Sequence, residues 1–210
     1  KRFAAANGGK FPSMVQADEQ YLNALPDVVA AAISGPLPQT WDILGLPFAS
    51  EAALLEKPGA QTGARIFLGG ARYLEVLGVK LVAGRTYDRS VIAPPGADMI
   101  ASIGGWPAET VVTKAFADKL FPKGDALGRT FYVGLVNRPS KIVGIIDQLV
   151  GAPLSGPEGS AYAKQNVIIP VIPPGPTFTY LVRTKPGRRD AVMAVVEKDL
   201  EKEGTSRLEI

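Results

Sequence analysis

The 210-residue chain contains no cysteine and no histidine. Without cysteine there is no disulfide framework, no thiolate nucleophile and no iron–sulfur cluster. Without histidine there is no Ser-His-Asp triad and no imidazole general base, and zinc sites built on Cys and His are excluded as well. Any chemistry is left to carboxylates, Lys, Tyr, Ser/Thr or backbone. A long hydrophobic run is also missing. The longest uncharged stretch, 165–182, holds Pro170, Pro173, Pro174 and Pro176, which bars a spanning helix. No signal peptide is visible, because Lys1-Arg2-Phe3 does not lead into an apolar segment. The chain does not begin with Met and is expected to be a piece of a longer polypeptide. The lack of cysteine fits an oxidising compartment without deciding it.

A sequence of this length makes one or two domains, and 46% apolar residues can build a sizeable core. Gly (23) and Pro (18) are frequent. Together they make up about one residue in five, below the ~25–30% of low-complexity chains, so they indicate many turns and short elements. The pI of 9.1 says little: nothing titrates between the carboxylates and the lysines, so a net charge of +3 suffices to raise it. The densest basic group is Arg183, Lys185, Arg188 and Arg189 beside a turn, too small for a nucleic-acid face. No nucleic-acid partner is expected.

Ser13 with Gln16 reads as a capping box, followed by Met14, Ala17, Tyr21 and Leu25 at helical spacing and stopped by Pro26. Residues 28–33 read as a buried strand. Within 34–64, Trp41 and Phe48 are expected to pack on the core. Residues 65–68 are strand-like, and 72–77 form a short helix capped by Gly78. Residues 88–109 form a long loop. Val111-Val112 is a strand, and Thr113 caps a helix with the stripe Phe116, Ala117, Leu120, Phe121. Phe131, Val133 and Leu135 alternate along a strand, with a turn at 137–140. Residues 141–147 are apolar on both faces and are expected to be a central strand. A second Gly/Pro/Ser-rich loop spans 151–165. Strands follow at 167–170 and 177–184. The helix at 189–203 buries Val192, Val195, Val196 and Leu200 and is capped by Gly204.

A search for chemistry finds little. Lys10 follows Gly9, but Phe11 stands where a phosphate-binding loop needs Ser or Thr. There is no Gly-x-Gly-x-x-Gly after a strand, no EF-hand loop and no nucleophile elbow. Asp118, Asp125 and Asp147 read as solvated acids at turns and helix ends. Arg85 and Asp88 are candidates to pair and pin a loop. The Gly-Gly pairs read as loops or edge turns. No catalytic, cofactor-binding or metal-binding residue is assigned.

One pattern is ordered along the chain. It comprises Tyr73-Leu74-Glu75-Val76-Leu77-Gly78, Gly84-Arg85-Thr86-Tyr87, Val111-Val112 and Ala117-Asp118-Lys119-Leu120-Phe121-Pro122. It continues through Asp125-Ala126-Leu127-Gly128-Arg129 and Ile142-Val143-Gly144-Ile145-Ile146-Asp147. This order and spacing resemble the periplasmic core domain of MacB-type ABC transporter permeases, the class with FtsX-like membrane domains. Leu25-Pro26-Asp27-Val28 and Pro170 extend the match toward both ends. The stretches 88–109 and 151–165 depart from the pattern.

The resemblance implies an α+β fold with two lobes. One is a discontinuous, membrane-proximal lobe from residues 1–57 plus 166–210; the other is a β-rich inserted lobe from 58–165. It implies a non-catalytic domain without cofactors, inserted between the first and second membrane helices on the periplasmic side of the bacterial inner membrane. The implied partners are an ATP-binding subunit or domain of the same transporter, reached through the membrane part, a second copy of the permease in a homodimer, and a periplasmic adaptor or a lipoprotein substrate. Partner contact is expected first at loops 88–109 and 151–165. The residues leave open an independent extracytoplasmic ligand-binding module, which needs a concave pocket, and a small enzyme using carboxylates or Lys.

Overall fold

A computed structural model describes residues 11–35, 45–93, 104–150, 163–173 and 178–202. Trp41, residues 94–103 and 151–162 of the two long loops, Thr177 and Gly204 lie outside the described residues, as does the side chain of Leu200.

Helix α1 is Phe11–Ala24. It starts before Ser13, with Pro12 in the first turn, where a missing N–H costs nothing. Its buried residues are Val15, Glu19 and Leu22, while Ala17 is exposed. The expected stripe of Met14, Ala17, Tyr21 and Leu25 is therefore rotated by one position, about 100° around the helix. The rotation places a carboxylate inside. Strand β1 (Val28–Ser34) follows and pairs antiparallel with β9 (Thr179–Thr184) in a two-stranded sheet. Helix α4 (Arg189–Lys202) is tied to α1: the Tyr21 hydroxyl donates to Asp199 at 2.6 Å. Tyr180 on β9 donates to Asp18 of α1 at 2.9 Å. Of the expected α4 stripe, Val192 is buried and Val196 half-buried, but Val195 is exposed.

The second sheet is seven-stranded. Its strands are β2 (Gly45–Ala49), β3 (Thr62–Leu68), β4 (Leu81–Gly84), β5 (Glu109–Thr113), β6 (Thr130–Val133), β7 (Arg138–Ile146) and β8 (Asn166–Ile169). The order is β4-β7-β5-β8-β3-β2-β6, and β6 pairs again with β7, so the sheet closes into a barrel. β3 and β8 run parallel, as do β5 and β7; the other pairings are antiparallel. Strand β7 is hydrogen-bonded to β4, β5 and β6, in line with its apolar faces. β2 and β8, which the sequence-based lobe boundaries place with the terminal segments, are hydrogen-bonded within this barrel.

Period-two alternation sorts the barrel's side chains. Ala64, Ile66, Leu68, Val112, Phe131, Val133, Ile142, Val167 and Ile169 fill one cluster with Phe48. Phe67, Val111, Val143, Ile146 and Ile168 enter a second cluster with Ala32, Tyr73, Leu74 and Tyr87. Helix α3 (Lys114–Leu120) contributes Phe116, Ala117 and Leu120 to the first cluster, as its spacing predicts. Phe48, Phe116 and Phe131 meet edge-on with centroids 5.3–5.8 Å apart. Thr113 precedes α3 but makes no capping bond. Its hydroxyl donates to the Lys164 carbonyl at 2.7 Å and accepts the Asn166 N–H at 3.0 Å. β6 ends at Val133, so Leu135 is 60% exposed in the turn at 134–137 rather than in the strand. The Gly134 N–H bonds to the Pro47 carbonyl, and Asn137 takes a positive φ of 45°, which suits a turn. Helix α2 (Tyr73–Leu77) ends at Gly78 in a left-handed conformation, as expected.

Candidate functional site

The sequence-derived candidates are engaged locally. Asp118 pairs with Lys114 one helical turn away, and Asp125 with Arg129 at 3.1 Å. Asp147 is exposed just after β7. Arg85 pairs with Glu109 at 2.6 Å instead of Asp88, because β4 and β5 lie on either side of β7. The Glu109 carboxylate holds the Arg85 guanidinium above its ordinary pKa. Asp88 accepts the Ser90 N–H at 2.8 Å, capping the 3-10 turn Arg89–Val91; that bond lowers its pKa. The basic group is spent in the same way. Arg188 and Lys185 both pair with Asp27, whose carboxyl is held below its usual range chiefly by the hydrogen bond from Arg188. Arg183 donates to the carbonyls of Glu75 and Val76, and Arg189 pairs with Asp190. Among the described residues, no group of three or more Asp or Glu is placed to hold a metal ion. No helix there is long and apolar enough to cross a membrane, which says nothing of β-barrels.

Among the described residues, buried polar groups converge where the β1–β9 sheet meets the barrel. The end of β1 is sewn to the end of β3 by backbone: Gly35 N–H donates to the Leu68 carbonyl at 2.9 Å, and Gly70 N–H to the Ile33 carbonyl at 3.0 Å. Ser34 and Gly69 form a bridge between these bonds. The Tyr73 ring closes over Gly69; a Cβ added there would sit 2.2 Å from the ring's Cγ. The Tyr87 hydroxyl lies 3.2 and 3.1 Å from the Gly69 and Gly70 carbonyls. Burial pushes the Tyr87 phenol far above its usual pKa and that of Tyr73 up to about 12. Among the described residues, no group meets the Tyr73 hydroxyl in good hydrogen-bond geometry; a weak interaction with the Ser34 side chain offsets only part of the burial.

Glu19 joins the two parts. Its side chain is 6% exposed. Oε1 accepts the Ile33 N–H at 3.0 Å, and Oε2 accepts from Arg89 at 2.9 Å. Arg89 sits on the 3-10 turn after β4 and is 44% exposed. Gly70 leaves room for the carboxylate: a Cβ there would lie 2.2 Å from Oε1. Beside the pair is a cleft of about 140 Å³ lined by Val15, Glu19, Ile33, Gly70, Arg89 and Ile172. A second tie runs from Arg72, before α2, to the Asn23 side chain and the Val29 carbonyl. These bonds tie α1 and β1 to the 3-10 turn after β4 and to the residue before α2.

Sequence reading missed this joint. Gly69-Gly70 was classed as a loop pair, yet neither residue has positive φ; close approach is what requires glycine there. The available signal was a carboxylate, Glu19, four residues after Val15 and three before Leu22, on an apolar face that must provide it a partner.

Residues 4–200 match the family described as the MacB-like periplasmic core domain. The macrolide export ATP-binding/permease protein MacB 1/2 of Paracoccus denitrificans (strain Pd 1222) is 27% identical over 158 residues, 75% of this chain; the chain spans only 19% of that protein. The fold resembles the periplasmic region of MacB from Actinobacillus actinomycetemcomitans, with a TM-score of 0.53 and 14% identity, over 90% of this chain and 72% of that one. It also resembles the extracellular domain of the noncanonic ABC-type transporter YknZ from Gram-positive bacteria, with a TM-score of 0.51 and 13% identity, over 90% of this chain and 84% of that one.

Proposed function

This chain belongs to the MacB-like periplasmic core domain family, and from that premise we propose that it is the non-catalytic extracytoplasmic part of an ABC export permease. Its role is mechanical: it passes motion driven by ATP on the cytoplasmic side to a periplasmic partner or to the substrate. The observation that carries this reading is the family match over residues 4–200. The tie between the terminal helices α1 and α4 through Tyr21 and Asp199 supports it. The two terminal helices are thus linked to each other, an arrangement suited to receive two connections from a membrane.

In this reading the domain has two lobes. The terminal helices with β1 and β9 form the membrane-proximal lobe, and the barrel forms the other. The ATP-binding subunit or domain acts through the membrane part of the permease, which works as a homodimer. A periplasmic adaptor or a lipoprotein meets the loops at 88–109 and 151–165.

This stretch has no native cysteine, so a label site can be placed in it alone. With Gln20→Cys as the sole cysteine of the intact permease, any others being replaced, a membrane-impermeant maleimide added to spheroplasts labels the protein without lysis. Labelling only after lysis overturns the periplasmic placement. Deleting residues 94–105 lowers export and partner binding; unchanged values remove that loop from the contact surface.

A further inference from the structure

We propose that Glu19 and Arg89 form a latch between the lobes, closed in this structure and able to open by release of Arg89 into solvent. The idea rests on the coupling reading for its purpose, while its geometry stands alone. The two halves of the latch are unequal. Glu19 is held on the terminal-helix side, buried and already bonded to the Ile33 N–H within that body. Arg89 belongs to the barrel side through β4, is nearly half exposed, and reaches across. A buried carboxylate that keeps one bond and a cation that can take its second bond to water make a contact that breaks on one side only.

The cleft of about 140 Å³ beside Gly70 and Arg89 has room for water to replace the guanidinium at Oε2. Opening therefore leaves Glu19 solvated rather than stranded. The remaining contacts of the joint differ in kind. The backbone bonds at Ile33, Gly35, Leu68 and Gly70 continue the sheets, Arg72 bonds Asn23 and the Val29 carbonyl, and two apolar clusters cross the joint, one placing Ala32 with Tyr73 and Tyr87 and one placing Val15 and Ile33 with Ile172. They act as the pivot about which the latch closes or opens. Gly70 is part of the device, since any Cβ there collides with Oε1.

The test uses the 210-residue chain with nitroxide labels at Gln20→Cys and Lys141→Cys, both exposed, one on α1 and one on β7. No native cysteine competes for label. Pulsed electron–electron resonance reports the distance distribution between the lobes. The unsubstituted joint gives one main distance. Arg89→Ala raises a second, separate population roughly 10-fold, the size expected for losing a hydrogen bond to a charged group. Glu19→Gln, which still accepts the Ile33 N–H but loses the charge, shifts it in the same direction. Gly70→Ala, which displaces the carboxylate without changing charge, does so as well. Asp118→Asn, on a surface pair of the barrel, leaves the distribution unchanged. A wild-type distribution in Arg89→Ala, or an equal second population in Asp118→Asn, overturns the latch. Export by the intact permease is the separate readout. A latch that opens with no effect on export refutes the coupling reading and leaves the latch standing.

Discussion

Substituting Gly69→Ala probes the packing of the joint. The new methyl carbon would lie 2.2, 2.6 and 2.6 Å from Cγ, Cβ and Cδ1 of Tyr73. These atoms are at the root of a ring with 0% exposure, packed in the second core cluster, and cannot withdraw as a flexible chain end can. Overpacking of this kind costs about 1–3 kcal/mol. Three contacts at once place Gly69→Ala at the upper end, roughly 3 kcal/mol, which for a chain of this size lowers Tm by roughly 6–12 °C. Gly59→Ala is the control. It has nothing within 4 Å but a φ of +75°, so it carries backbone strain alone, about 1 kcal/mol. Urea unfolding followed by circular dichroism gives both values, with unchanged slope. If Gly69→Ala loses no more stability than Gly59→Ala, the steric reasoning about the joint is wrong.

Other outcomes follow from single residues. Phe131→Ala removes a fully buried ring from the Phe48–Phe116–Phe131 group and costs about 3–5 kcal/mol by the same unfolding assay. Tyr73→Phe deletes a buried hydroxyl that no described residue meets in good hydrogen-bond geometry, so stability stays level or rises by up to about 1 kcal/mol. The phenol of Tyr73 moves from 10.0 to about 12 on folding, so the native state keeps its proton where the unfolded chain loses it. Stability from this group is whole below pH 10 and declines as pH rises toward 12, and Tyr87 acts in the same sense; Tyr73→Phe reduces that alkaline loss in a pH series of melts.

Local elements were legible and their assembly was not. Helix α3 could be read from Phe116, Ala117 and Leu120 because a 3.6-residue spacing and a following Pro122 are local signals. Gly78 as the end of α2 was readable for the same reason. The closing of the sheet was hidden, since the pairing of β6 with β2 and of β3 with β8 joins segments far apart in sequence. Strand β2 fell in a stretch whose Gly and Pro content masked its pattern. The buried face of α1 does not follow from apolar spacing alone, because Ile33 and Arg89, both outside the helix, make Glu19 an inward charge. The expected Arg85–Asp88 pair failed for a similar reason: Asp88 is drawn to the Ser90 N–H, and Glu109 arrives from another strand. The motif glycines serve different needs: a Cβ at Gly144 would sit 2.1 Å from the Arg85 carbonyl, whereas Gly128 has open space and instead needs its φ of +81°.

The central claim is that this domain couples ATP-driven motion to export. It is tested most directly by replacing residues 11–202 of the intact permease with a short flexible linker and measuring ATP hydrolysis and export together. The account predicts that hydrolysis continues while export is lost. Export at the original rate per ATP hydrolysed would contradict it.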